Sequence, residues 1–232
     1  MLFPFPAGRR IYTPAMAALV RPLLLALVFA LAAASFNVTA APKVEAARLS
    51  LEDRADVGRI EEYLNGIRTL RSRFFQVAPS GAHAEGDLFL SRPGKLRIAY
   101  DPPVPILIVA HDRTVGYYDR ELKQAQYFGA DQTPAGVLLR DQIRLAGGDL
   151  AVTRFERSPG ALRLTLAQAA DPGQGSLALV FSDRPLSLRK WTVTDAQGQT
   201  TEVALMAPEF GVALEPKLFL FDDMVERPAS SN

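Results

Sequence analysis

The residue types that most often do chemistry are scarce in this chain and poorly placed for it. It has two histidines, His83 and His111, and no cysteine. Neither histidine belongs to an H-x-x-x-H or H-x-H pair, and each falls in an expected loop, so no metal site is assigned. No serine lies in a G-x-S-x-G elbow. Gly147-Gly148 and Gly173-Gln174-Gly175 read as turn glycines, without the strand-turn-helix setting of a phosphate loop. Asp222-Asp223 reads as a solvated end rather than an acid/base pair. The sequence makes no case for an enzyme: no catalytic residue and no cofactor are assigned.

One charge is out of place. Residues 85–103 read E-G-D-L-F-L-S-R-P-G-K-L-R-I-A-Y-D-P-P, two runs of period two around Pro93-Gly94. That pattern is a half-buried antiparallel hairpin, with Pro presetting φ and Gly tolerating a positive φ in the turn. Leu88, Leu90 and Arg92 share one face of the first strand; Leu96, Ile98 and Tyr100 share one face of the second. Arg92 is in phase with the leucines. A guanidinium beside an apolar surface must find acceptors or reach water, because an unpaired buried charge is very costly. Read from the hairpin alone, it is a surface arginine or one paired with Glu85 or Asp87.

The elements around this hairpin follow from periodicity. Ile60, Tyr63, Leu64, Ile67, Leu70 and Phe74 recur at helical spacing, so an amphipathic helix is expected from about residue 51 or 56 to residue 71, weakened by Gly66. A first strand is expected at 74–77. Strands follow at 106–110, apolar on both faces, then 114–119 and 124–128. Thr133 or Asp131 as cap and Pro134 at the first position open a short helix at 135–139. Residues 141–148 read as a further helical turn. Strands are then expected at 150–157, 161–167, 176–182, 186–195 and 200–206, and a last strand or turn at 218–221. Short strands at even spacing with turn chemistry between them indicate a barrel or sandwich.

The first forty residues hold Arg9, Arg10 and Arg21 and no acid, then an apolar run over 23–34, then Val38-Thr39-Ala40. This reads as a secretory signal peptide over 1–40, the apolar run being short of the roughly 20 residues a membrane span needs. Residues 41–56 are expected to be a mobile segment, 57–225 a single domain, and 226–232 a disordered tail. The leader takes three of 26 basic residues, leaving 23 against 25 acidic ones, a net of −2. That balance argues against nucleic acid and against an electrostatic membrane binder. Without cysteine the exported chain has no disulfides and no lipid-bearing first residue.

The chain also resembles a known family. A helix followed by Phe75, Gln76, Val77, Glu85, Gly86, Arg92, Pro93, Gly94, Arg97, Tyr100, Pro102 and Pro105 is similar to the alphaproteobacterial form of the LolA lipoprotein carriers. The likeness continues through residues 106–110, Tyr117-Tyr118-Asp119, Gln124 and Thr133-Pro134. The resemblance covers residues 59–139 well and the remainder only as a rhythm of strands. It implies a mainly β fold with α: a half-open antiparallel β-barrel, a strongly curved sheet, with a helical lid over an apolar cavity. It implies a periplasmic carrier, a monomer, that takes lipoprotein acyl chains from an inner-membrane ABC exporter to an outer-membrane acceptor. Arg92 would then look inward and hold the empty lid closed through backbone carbonyls. Strand parity makes Leu88, Leu90, Leu96, Ile98 and Tyr100 wall candidates, and the helices add Ile60, Leu64, Ile67, Val137 and Leu138. Carriage of another lipid, or a lipid-sensing regulatory module of the same fold, are the rival readings.

Overall fold

Ser50 starts the first helix. Its hydroxyl accepts from the Asp53 amide at 3.0 Å, and the Asp53 carboxylate accepts from the Ser50 amide at 3.1 Å. This reciprocal box satisfies two of the N–H groups that a helix start leaves open. In the computed structural model, which describes residues 45–145 and 147–224, helix α1 runs Leu51–Gly66. Residues 51–56, which the sequence left between the mobile segment and the helix, therefore belong to the helix; the box of Ser50 and Asp53 is the signal for this. The leader expected over 1–40 and the tail expected over 226–232 lie outside the described residues.

The helix also stops early. Ile67 caps it in an extended conformation after Gly66, and Leu70 and Phe74, which fit the helical stripe by spacing, lie on a strand. Leu70, Ser72 and Phe74 are alternate residues as well, all three buried, and strand partners on both sides decide for period two.

Eleven strands follow: β1 (Thr69–Val77), β2 (His83–Ser91), β3 (Lys95–Tyr100), β4 (Ile106–His111), β5 (Thr114–Asp119), β6 (Gln124–Gly129), β7 (Leu150–Ser158), β8 (Ala161–Gln168), β9 (Ser176–Ser182), β10 (Ser187–Thr194) and β11 (Thr200–Phe210). Both histidines sit at strand ends rather than in loops. The strands make one curved antiparallel sheet in the order β6-β5-β4-β3-β2-β1-β11-β10-β9-β8-β7. Every neighbouring pair is a hairpin except β1–β11, where Leu70 faces Phe210 and Val77 faces Glu202. The sheet does not close, and its two edges, β6 and β7, are consecutive in the chain.

The chain must therefore cross from one edge to the other. It does so over the concave side through residues 130–149, carrying two 3-10 helices, Ala130–Gln132 and Pro134–Leu139. Thr133 caps the second, its hydroxyl accepting from the Ala135 amide, with Pro134 at the first position. Residues 141–148 were expected to turn helically. Instead 141–145 are non-helical, with Ile143 and Leu145 buried and residues 141, 142 and 144 exposed, because the amides of both buried residues are taken up by side chains of α1.

The main core lies between α1 and the concave face. Val57, Ile60 and Leu64 of the helix pack with sheet residues such as Leu164, Leu179 and Phe181, and Tyr63 meets Phe181 edge-on at 5.9 Å. A smaller cluster, Leu107, Val109 and Tyr118 with Ala99 and Phe221, sits apart from it. Residues 218–221 are not a strand: two 3-10 helices, Pro216–Phe219 and Phe221–Met224, lie there, bound through Arg97 to the Leu218 carbonyl at 3.2 Å. This strap explains why β4 is apolar on both faces. One face is core and the other is covered by the end of the chain.

Ion pairs tether the first half of α1. Asp56, buried, accepts from Arg157 of β7 and from Arg59, which also reaches Asp183 in the β9–β10 turn at 3.0 Å. Desolvation pushes the Asp56 carboxyl up, but the hydrogen bonds from Arg157 and Arg59 outweigh it and hold it below its ordinary value of 3.8. A folded-state value below the unfolded one gives stability that is present above 3.8 and lost as pH falls through the folded value. Asp56→Asn should cost about 2 kcal/mol at neutral pH, between the worth of exposed and buried pairs. Urea denaturation should show that difference shrinking in acid, where the wild-type carboxyl is itself protonated; a constant difference would assign the loss to packing.

Candidate functional site

Arg92 lies in the turn after β2 and is only 7% exposed. Its Nε donates to the Arg140 carbonyl at 2.7 Å, and one Nη donates to the carbonyl of Asp141 at 3.2 Å. The other Nη donates to the carbonyls of Leu64 and of Ile67, the latter at 3.4 Å. None of these acceptors is a carboxylate. Leu64 and Ile67 end α1, and Arg140 and Asp141 follow the Pro134–Leu139 helix. Both groups are carbonyls at a helix end, the negative end of its dipole, and that of Leu64 also accepts from the Ile67 amide at 3.3 Å. One guanidinium thus satisfies two helix ends, using five donors fixed in a planar fork.

Burial pulls the Arg92 pKa down, and Arg68 adds repulsion that Asp141 offsets, but an arginine remains charged throughout. The pairing with Glu85 or Asp87 that the hairpin left open does not occur. Those carboxylates point to the opposite face, where Arg73 lies 3.6 Å from Glu85 and 3.3 Å from Asp87 and also bonds Asp101. The Arg92–Pro93 turn is fastened to the lid a second time: Gly94 N–H donates to the Leu139 carbonyl at 2.8 Å. Gly94 has φ +76, and a Cβ there would come within 2.9 Å of the Asp112 backbone, so position 94 requires glycine twice over.

Arg92 borders an apolar cavity of about 90 Å³ enclosed by the sheet, the end of α1 and the crossing segment. Seven of the residues selected from the sequence line it: Leu88, Leu90, Leu96, Ile98, Leu64, Ile67 and Leu138. The strand pairs are direct, Leu88 opposite Ile98 and Leu90 opposite Leu96.

Three selected residues lie elsewhere. Ile60 is fully buried in the core under α1, a turn too far from the helix end to reach the cavity. Tyr100 packs edge-on against Phe74 at 5.2 Å and donates to Gln76 at 2.7 Å, and burial raises its phenol pKa. The Phe74 ring and the backbone of the neighbouring strand occupy the space over Gly86, where a Cβ would meet that ring at 2.8 Å and the Ala99 carbonyl at 2.1 Å. Val137 faces an outer recess of about 490 Å³ lined by charged groups such as Asp112, Asp131 and Asp149. The reason is helix type: in a 3-10 helix positions three apart eclipse, so Ala135 and Leu138 face the cavity together and Val137 turns away.

The sequence reading missed Leu70, Ala135, Leu139, Ile143, Leu188, Trp191 and Val203 on the wall. For Leu188 and Trp191 the obstacle was parity. Residues three apart should face opposite sides of a strand, but β10 is irregular between Leu188 and Lys190, and the bulge returns Trp191 to the concave face. Among the described residues no group of three or more His, Cys, Asp or Glu could hold a metal ion.

A family model described as "Outer membrane lipoprotein carrier protein LolA" matches residues 65–222. An outer-membrane lipoprotein carrier protein of Azotobacter vinelandii is 28% identical over 183 residues, 73% of this chain and 84% of the relative. One of Nitrosomonas europaea is 38% identical over 167 residues, 68% of this chain and 76% of the relative. A crystal structure of a putative outer membrane lipoprotein-sorting protein domain from Vibrio parahaemolyticus covers 73% of this chain and 97% of its own, at 10% identity and a TM-score of 0.47. The chain belongs to the LolA outer membrane lipoprotein carrier family.

Trp191 is the sole tryptophan of the sequence and borders the cavity. Its fluorescence should therefore be quenched, saturably, by a brominated fatty acid and not by bromide ion. Equal quenching by both would mean that no acyl chain enters beside it.

Proposed function

We propose that this chain is a monomeric periplasmic carrier that binds the acyl chains of lipoproteins beneath its lid. It would receive them from an inner-membrane ABC exporter and deliver them to an outer-membrane acceptor. The observation that carries this reading is Arg92: a buried cation whose only role in the geometry is to hold two helix ends shut over an apolar space. The carrier names of its relatives support the same reading.

The closed cavity cannot hold cargo as it stands. About 90 Å³ is room for roughly three water-sized groups, far less than one acyl chain. Loading therefore requires the lid to leave, which breaks the bonds of Arg92. Each charge-assisted bond is worth about 1.5–3 kcal/mol net. Burying one methylene returns about 0.8 kcal/mol, so roughly fourteen methylenes offset five such bonds. A single acyl chain of ordinary length is enough to keep the lid open, and the lost Arg92 bonds favour release when an acceptor offers a second apolar site. Neither step needs a catalyst.

Native mass spectrometry of the protein taken from the periplasm should show a lipoprotein adduct. Arg92→Leu removes the closing bonds without removing apolar wall, so it should load as well as wild type and hand cargo on at least tenfold more slowly. Release at the wild-type rate would refute the closing role of Arg92. A phospholipid or glycolipid adduct in place of lipoprotein would reassign the cargo.

A further inference from the structure

Between α1 and the crossing segment lies a contact that Arg92 does not make. Asn65 donates from Nδ2 to the Ile143 carbonyl at 2.9 Å and accepts the Ile143 amide on Oδ1 at 2.9 Å. One turn earlier, Glu61 accepts the Leu145 amide at 2.6 Å. Four helical residues rise about 6 Å, and two extended residues span about 6.6–6.8 Å. The pair at 61 and 65 therefore matches the spacing of alternate amides on a segment running the other way. The helix side chains act as a sheet edge for residues 141–145. Ile143 and Leu145 are buried, and Ile143 also borders the cavity.

We propose that α1 and residues 141–145 are one lid body, fastened by Asn65 and Glu61, which opens as a unit; the proposal rests on the carrier reading of the lid. Asn65 is the positioning residue. The fastening does not depend on Arg92, and neither Asn65 nor Glu61 borders the cavity, so cargo that breaks the Arg92 bonds leaves it in place. Movement of α1 then withdraws Leu64, Ile67 and Ile143 from the cavity together, and both helix-side walls are uncovered in one step. Two independent flaps would need two ligand-driven events.

Amide hydrogen exchange on the ligand-free protein tests this without any cargo. Opening as a unit keeps the Ile143 and Leu145 amides on Asn65 and Glu61 and the Leu64 amide in its helix. Arg92→Leu should therefore accelerate exchange at Gly94, whose amide bonds the Leu139 carbonyl, at least tenfold and leave Ile143, Leu145 and Leu64 within threefold of wild type. Asn65→Ala should uncouple them: Leu145, whose own acceptor is untouched, should exchange at least tenfold faster while Leu64 does not change. Glu61→Ala should do likewise at Ile143, and Glu61→Gln, which keeps an acceptor oxygen, should restore coupling. Acceleration of Ile143 and Leu145 by Arg92→Leu while Leu64 stays protected would show the two elements parting and overturn the single body. That failure is distinct from failure of the carrier reading, which only the cargo measurements can refute.

Discussion

A guanidinium buried without a carboxylate is the constraint from which the arrangement of this fold follows. Arg92 cannot shed its proton, so the surrounding chain must supply acceptors where the charge lies. The acceptors available in an apolar wall are backbone carbonyls with a lone pair still open. Helix ends provide them, and the chain brings two helix ends to the same guanidinium. The arrangement is satisfied but conditional. Neutral carbonyl dipoles hold the cation less firmly than a buried carboxylate would, and they depart whenever the helix ends move.

An open sheet makes that condition useful. A closed barrel has no edges to protect, whereas this one has β6 and β7. The β7 side is partly covered by the segment before α1, where the Ala47 amide donates to the Val152 carbonyl at 2.8 Å. Because the two edges are consecutive in the chain, the link between them must cross the mouth, and a lid results from topology alone. The lid is held unequally at its two ends. At the start of α1, Asp56 and two arginines form charge pairs at the rim, which apolar cargo has no means of replacing. At the other end are the Arg92 bonds, beside the apolar cavity. Motion in α1 should thus concentrate near Arg92.

The chemistry is correspondingly plain. The apolar wall is drawn from helix, strands and lid alike, and Ser72 and Tyr100 of the sheet have structural partners: Ser72 donates to the Met206 carbonyl at 3.0 Å, and Tyr100 to Gln76. Acyl chains would be held there by burial, which is tolerant of shape. Specificity for lipoprotein over other lipids would have to come from what lies outside the cavity.

The sequence by itself determined the hairpin, its Pro-Gly turn, the anomaly of Arg92 and the inward parity of Leu88, Leu90, Leu96 and Ile98, because these rest on local alternation and turn chemistry. It also determined the capped lid helix after Thr133, and the resemblance carried the open, curved sheet. Only the tertiary structure decided where α1 stops, since Leu70 and Phe74 satisfy helical and strand spacing equally and their sheet partners break the tie. It decided that Val137 turns away and Trp191 turns in, because a 3-10 turn and a strand bulge shift the phase that side-chain counting relies on. It decided the acceptors of Arg92 and the fastening of residues 141–145 by Asn65 and Glu61. Those contacts join residues tens of positions apart. No local pattern encodes which carbonyl a distant side chain will meet.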